Sequence, residues 1–434
     1  MRGGVRLRLE LGRIKITDLR FGDKTEIIKG TLIVNKAELI EMLAEDPNIA
    51  GVELDLAKPG EDVRIIPVKD VIEPRVKVEG PGGIFPGFIG KVETVGSGRT
   101  HVLSGAAVVT TGSIVGFQEG IIDMSGPGAA YTPFSKTLNL VIIITAVDGL
   151  PQHKHEHTVR MAGLKAAAYL AETARDLKPD ETEVFEAATF AENAIKNPNL
   201  PKVVYLYMLQ TQGLLHDTYV YGIDAKKTLP TLISPTEIMD GAIVSGNCVS
   251  ACDKNTTYHH QNNPVISELF QQHGKELCFQ GVVISNENVT LADKERSSDY
   301  AAKLVKMIGA DGAIVSEEGF GNPDTDLIMN CRKLEEQGIK TVLITDEYAG
   351  RDGASQSLAD ATPLADAVVS VGNANEVIEL PVCKKIIGDL KTAEIIAGGF
   401  DGALKPDGSL SVEIQAITGS TNELGFSKLR CEGL

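Results

Sequence analysis

The chain contains no tryptophan, and its first 247 residues contain no cysteine. The six cysteines, Cys248, Cys252, Cys278, Cys331, Cys383 and Cys431, all fall in the second part of the sequence. Such a one-sided distribution argues against a disulfide framework and for a reducing compartment, with Cys278 and Cys331 expected to be buried in a strand and a helix. Long apolar runs are also missing. The longest, Leu140-Val141-Ile142-Ile143-Ile144, is far short of the roughly 20 residues a membrane helix needs, so no membrane span is expected. Positive charge is scarce too: 42 Lys and Arg face 59 Asp and Glu, for a formal net charge of −17. Without a basic stripe, a nucleic-acid partner is not expected. The start, Met1-Arg2-Gly3-Gly4-Val5-Arg6, lacks the apolar core of a secretory signal, and the expected location is the cytoplasm.

What is present is ordinary for a globular protein: 434 residues, 43% hydrophobic and 23% charged, with 44 glycines scattered among separate turns. The length suits two or three domains. The fold class expected is α/β, with a β-rich N-terminal domain over 1–135 followed by a mostly parallel, layered α/β region. That region comprises a segment 136–247 and a domain 248–434. Alternating apolar residues predict strands near 6–11, 14–16, 30–34, 51–56, 63–68 and 76–78. Asn35 is placed to cap a helix over 36–44. Val95-Gly96-Ser97-Gly98-Arg99-Thr100-His101 resembles a phosphate loop, but strand-like residues follow where a helix should open, so a β-turn is the expectation. From 138 onward strands and helices alternate: strand 140–146, helices 157–176 and 179–196, strand 203–209, strand 279–285, helix 294–307, strand 313–316, helix 324–337, strands 341–345 and 367–371. This alternation predicts parallel pairing through right-handed crossovers. A last strand near 410–414 could close an edge.

Several polar segments follow the predicted strands: Gln210-Thr211-Gln212, Ser285-Asn286-Glu287-Asn288, Ser316-Glu317-Glu318-Gly319-Phe320-Gly321 and Thr345-Asp346-Glu347. Parallel strands would bring them to one carboxyl edge of the sheet, where open α/β sheets collect ligands. His216 belongs to that group as a site candidate, or as a hydrogen-bonded loop histidine. His153, His155 and His157 have no accompanying acidic ligand and suit a solvated helix start better than a metal site.

The densest chemistry lies at Gly246-Asn247-Cys248-Val249-Ser250-Ala251-Cys252-Asp253-Lys254-Asn255-Thr256-Thr257-Tyr258-His259-His260. Cys248 and Cys252 are four apart, a spacing that fits a metal or redox pair poorly, and no metal is expected. A different chemistry suits the pair Asn247-Cys248. The thiol of Cys248 can attack the preceding carbonyl through a five-membered ring, and elimination across its Cα–Cβ bond would leave dehydroalanine. Hydrolysis then gives an N-terminal pyruvoyl group, a carbonyl able to bind an amine as a Schiff base. The residues permit this route without requiring it.

Asn247-Cys248-Val249-Ser250-Ala251-Cys252-Asp253-Lys254-Asn255-Thr256-Thr257-Tyr258 resembles the processing region of the glycine, sarcosine and betaine reductase component B family. Similar likeness extends along the chain through Arg64-Ile65-Ile66-Pro67-Val68-Lys69-Asp70, Gln118-Glu119-Gly120-Ile121-Ile122-Asp123-Met124-Ser125-Gly126-Pro127-Gly128 and Asp346-Glu347-Tyr348-Ala349-Gly350-Arg351-Asp352. The resemblance implies autocatalytic cleavage between Asn247 and Cys248, conversion of Cys248 to a covalent pyruvoyl group, and no nucleotide or metal cofactor. It also implies a selenocysteine-containing subunit of component B as partner, with selenoprotein component A, component C and the thioredoxin system acting downstream. The implied reaction holds glycine as a Schiff base, lets a selenolate attack its Cα, and leads to ammonia and acetyl phosphate. A sarcosine or betaine counterpart, or an uncleaved scaffolding subunit, are the alternatives. A quaternary ammonium cannot form a Schiff base and would need an aromatic cage, for which tryptophan is the best residue, so its absence tilts the reading to glycine. Cys252, Asp253, Thr256, Tyr258, His259 and His216 are the further candidates for orienting the scissile peptide or the substrate, and Arg351 could grip a substrate carboxylate or sit in a surface ion pair.

Overall fold

The computed structural model describes residues 7–213, 218–246 and 250–424. It is mixed α/β, with several sheets. Asn35 accepts hydrogen bonds from the amides of Ala37 and Glu38 and starts the helix Lys36–Ala44 at the expected residue. The strand Leu7–Lys15 pairs in parallel with Gly98–Ser104, so the glycine-rich 95–101 segment is a turn into a strand. Leu138–Ala146 lies between Ile49–Ala57 and Ala106–Gly112.

The largest sheet orders its six strands as Thr231–Ile233, Cys278–Glu287, Lys202–Gln210, Gly312–Ser316, Lys340–Glu347 and Val368–Asn373. All neighbours pair in parallel except the antiparallel edge strand Thr231–Ile233. Side chains alternate across it, as the period of two demands. Val204, Leu206 and Met208 pack with residues of the helices Leu291–Ile308 and Asn322–Glu335. Tyr205, Tyr207 and Leu209 point the other way, into a cluster with Ile266 and Leu269 of the helix Pro264–Gln272 and with Leu9, Leu11 and Val102 of the N-terminal strands. Each fully buried aliphatic side chain there contributes about 1.5–3 kcal/mol of transfer free energy. Cys278 and Cys331 are buried in a strand and a helix, as expected.

Three expectations change. Residues 179–196 are not one helix: Glu181–Ala187 is a strand antiparallel to Leu7–Lys15, and only Phe190–Lys196 is helical, behind a capping box of Thr189 and Glu192. The helical propensity of its glutamates is overridden by cross-strand partners, because Arg13 pairs with Glu183, Arg8 lies 3.3 Å from Glu186, and Phe185 packs on Phe270. The helix expected from 157 begins at Gln152, which puts His153, His155 and His157 inside it, with His153 and His157 exposed. The late strand, Leu410–Glu413, pairs with Val377–Leu380 in a two-stranded sheet and does not extend the large one.

Candidate functional site

Asn247, Cys248 and Val249 lie outside the described residues, as does His216, so the site is defined by what flanks them. On the upstream side the amide of Ser245 donates to Thr257 Oγ1 at 3.1 Å. On the downstream side Thr257 is fixed by Asp70, whose carboxylate accepts its amide at 2.9 Å and its hydroxyl at 2.7 Å. One buried carboxylate thus anchors both flanks of residues 247–249. Burial pushes the Asp70 carboxyl up to about 6.

The stretch after residue 250 is held as tightly. The amide of Gly419 donates to Ala251 O at 2.8 Å, and Asn422 Nδ2 reaches Asp253 O, Lys254 O and Asn255 Oδ1. Close approach requires glycine at Gly120, where an added Cβ would stand 2.3 Å from the Ala251 Cβ. Lys254 is buried and its Nζ donates to Lys69 O, while Lys69 pairs with Glu119 at 2.9 Å. Thr256 caps the helix Thr257–Gln261 and shares a capping box with His259. His259 and His260 are both buried, and burial holds both imidazoles down to about 3, so they are neutral at physiological pH. His260 Nδ1 bonds Tyr207 Oη at 2.8 Å, and Phe134 packs edge-on against both Tyr258 and His259. Burial raises the Tyr258 phenol, which keeps it protonated.

A cavity of about 230 Å³ opens beside this segment. Its lining includes Ser250 and Asp253, Gln118, Gln210 and Gln212, and Gly319 and Phe320. The polar strand ends do converge here: Gln210 N and Asn255 N donate to the Glu318 carboxylate, Glu318 N donates to Glu287, and Thr345 Oγ1 donates to Glu317. The cavity therefore sits at the carboxyl edge of the parallel strands. Cys252 Sγ donates to Asp253 Oδ1 at 2.8 Å, and Thr421 Oγ1 donates to Asp346 Oδ2 at 2.8 Å. Burial pushes the Glu318 carboxyl up to about 7, and it raises Asp253, Asp346, Glu287, Glu317 and Glu423 as well.

Of the residues singled out in the sequence, Asp253 lines the cavity with the Cys252 thiol bonded to it, and Thr256, Tyr258 and His259 belong to the capped helix Thr257–Gln261 that follows. Arg351 is elsewhere: half-exposed, it bonds Glu413 at 2.6 Å, lies 4.4 Å over the Phe400 ring and is not part of the cavity lining. Sequence reasoning missed Asp70, Lys69, Glu119, Gln118 and Thr421. Lys69-Asp70 follows an apolar strand, and a charged pair there is the available signal.

Residues 7–432 match the family model described as glycine/sarcosine/betaine reductase component B subunits. The chain belongs to this family. It is 67% identical over 427 residues to "Glycine reductase complex component B subunits alpha and beta" of Peptoclostridium acidaminophilum, covering 98% of this chain and 100% of that protein. It is 65% identical over 425 residues to the protein of the same description from Acetoanaerobium sticklandii, covering 98% and 99%. A sarcosine reductase complex component B subunit alpha from Peptoclostridium acidaminophilum is 57% identical over 423 residues, covering 98% and 99%. No solved structure matches the chain. As a component B subunit the chain is part of a reductase complex, and among its described residues no helix is long and apolar enough to cross a membrane.

Proposed function

We propose that this chain is the cytoplasmic precursor of the substrate-activating subunits of a glycine reductase, cleaved between Asn247 and Cys248 so that residue 248 becomes a pyruvoyl group. The observation that carries the reading is the shared anchor: Ser245 is bonded to Thr257, and Thr257 to Asp70. Both new ends would stay on one frame after the bond between them breaks, so the carbonyl would remain beside the cavity that Ser250 helps to line. The name of the 67% identical relative, which gives two subunits to one chain, agrees with a cut. Glycine is favoured over sarcosine because relatives named for glycine stand at 67% and 65% identity and the one named for sarcosine at 57%.

The pyruvoyl carbonyl would supply a Schiff-base attachment for the substrate amine, turning its nitrogen into a leaving group for attack at Cα by a selenolate. That selenolate must come from a selenoprotein partner, because the chain encodes cysteines but no selenocysteine; the selenocysteine-containing subunit of component B is the partner it would join. Selenoprotein component A, component C and thioredoxin would complete the route to acetyl phosphate. The chain's own residues have plainer tasks. Thr256 and neutral His259 cap the helix Thr257–Gln261, Asp253 borders the cavity and accepts from the Cys252 thiol, and the carboxamides of Gln118, Gln210 and Gln212 give the cavity donors and acceptors without fixed charge.

The parts made by the cut, 1–247 and 248–434, would not separate. Lys202–Gln210 of the first lies between Cys278–Glu287 and Gly312–Ser316 of the second, and Val63–Val68 pairs with Lys385–Gly388. Purified protein should therefore run as one particle in native buffer and as two chains in denaturant. The 248–434 chain should label with a hydrazide, and a single unlabelled chain in active material would end this reading.

A further inference from the structure

Asp253 and Asp346 are both buried, and one acceptor atom of each lies within 4.8 Å of the other and of Cys252 Sγ. One oxygen of each carboxyl is already committed, Asp253 Oδ1 to the Cys252 thiol and Asp346 Oδ2 to the Thr421 hydroxyl. The other two, Asp253 Oδ2 and Asp346 Oδ1, are buried and have no protein hydrogen-bond partner. Two neighbouring buried carboxylates resist being ionised together, and a single proton on the pair relieves that repulsion. Two oxygens and a thiol that already donates its hydrogen make an incomplete metal ligand set. Asp253, unlike Asp346, also lines the cavity.

We propose that Asp253 and Asp346 form a carboxyl pair sharing one proton, and that Asp253 is the acid that delivers it to the substrate nitrogen in the cavity. This rests on the reading of the chain as an amine-activating subunit. The proton passes from Asp253 to the neutral, carbonyl-bound substrate nitrogen before the Cα–N bond breaks; on breakage the bond's electron pair goes to that nitrogen, which leaves uncharged, and the partner's selenolate supplies the pair for the new C–Se bond. Asp253 becomes a carboxylate and is reprotonated from cavity water. Asp346 is the positioning residue: as anions the two carboxyls repel, so ionisation of either one holds the proton on the other. The groups facing the pair are Asp324, whose charge resists ionisation of Asp253, Glu318 and Glu423, whose own ionisation Asp253 resists, the Cys252 thiol and Thr421 hydroxyl, which donate to Asp253 and Asp346 and favour their ionised forms, and Lys254, the adjacent buried cation.

The test uses full-length, processed protein whose 248–434 chain reacts with a hydrazide. If that reaction fails, the carbonyl reading fails before the acid is examined. Labelled glycine is then trapped with cyanoborohydride between pH 6 and pH 8, and each variant is read as a ratio to wild type. D346N removes the like charge, so Asp253 ionises at lower pH and the ratio should fall several-fold from pH 6 to pH 8. T421V removes the donor that favours ionised Asp346, so its ratio should rise over the same range. D253N should lose trapping at every pH. Independently of trapping, the carboxyl 13C resonance of Asp253 in aspartate-labelled protein should titrate at lower pH in D346N. Flat ratios in D346N and T421V, or one equivalent of tightly bound divalent metal in wild type that D346N lacks, would overturn the proposal.

Discussion

Two regions of this protein bury charge, and they do so in opposite ways. In the N-terminal sheets each buried cation has an acid beside it: Arg64 grips Asp123 through two bonds of 2.7 and 2.8 Å, Arg75 meets Glu73 at 2.6 Å, Lys69 meets Glu119 at 2.9 Å, and Lys77 pairs with Asp240. At the carboxyl edge of the large sheet, Asp253, Glu287, Glu317, Glu318, Asp346 and Glu423 are all buried, and their oxygens accept from amides, hydroxyls and a thiol. Paired charge fixes a register and costs a great deal to break. Unpaired acid resists ionisation, and so keeps protons available next to a cavity.

The comparison breaks most visibly at the paired end. Asp123→Ala leaves Arg64 as an uncompensated buried cation and should lower stability by about 3–5 kcal/mol in denaturant titrations. The two neutral histidines come next. Burial lowers their folded-state pKa from 6.5 to about 3, so their contribution is present above 6.5 and is lost as pH falls below it. Thermal melts should show a steep loss between pH 6 and pH 4, and His260→Gln should flatten it. At the acid edge the sign reverses. Glu287 and Glu423 are raised, so their contribution is complete below the ordinary carboxyl range and declines as pH rises. Each has one oxygen without a protein partner, which an amide can replace. Glu287→Gln and Glu423→Gln should each stabilise by about 1 kcal/mol at pH 8 and by nothing measurable at pH 5. The smallest effect belongs to Arg351→Ala, where a half-exposed pair with Glu413 should cost about 1 kcal/mol or less. A weakened capture of glycine in that variant would instead give Arg351 the carboxylate-holding role its chemistry allows.

Much of this contrast is legible in the sequence, and the rest is not, for identifiable reasons. Apolar periodicity locates Lys202–Gln210, Cys278–Glu287, Gly312–Ser316 and Lys340–Glu347, and their parallel pairing makes a common edge of Glu287, Glu318 and Asp346 foreseeable. Glu181–Ala187 reads as helix because its charges are explained by Arg8 and Arg13, the latter 170 residues from Glu183, and no local pattern reports such partners. Distance likewise hides the roles of Asp70 and Glu423, which meet Thr257 and Asn255 across 187 and 168 residues. A cluster of Cys, Asp, Thr and His after residue 247 marks where chemistry would be, but which of them cap a helix and which border the cavity depends on side-chain direction. Thr256 and His259 do the first, Asp253 the second.

The most direct measurement is the intact and peptide mass of purified, active protein under denaturing conditions. Two chains ending and beginning at residues 247 and 248, the second carrying a carbonyl where the amine and thiol of Cys248 would be, are the predicted result. A single full-length chain whose Cys248 still takes up an alkylating reagent would contradict it.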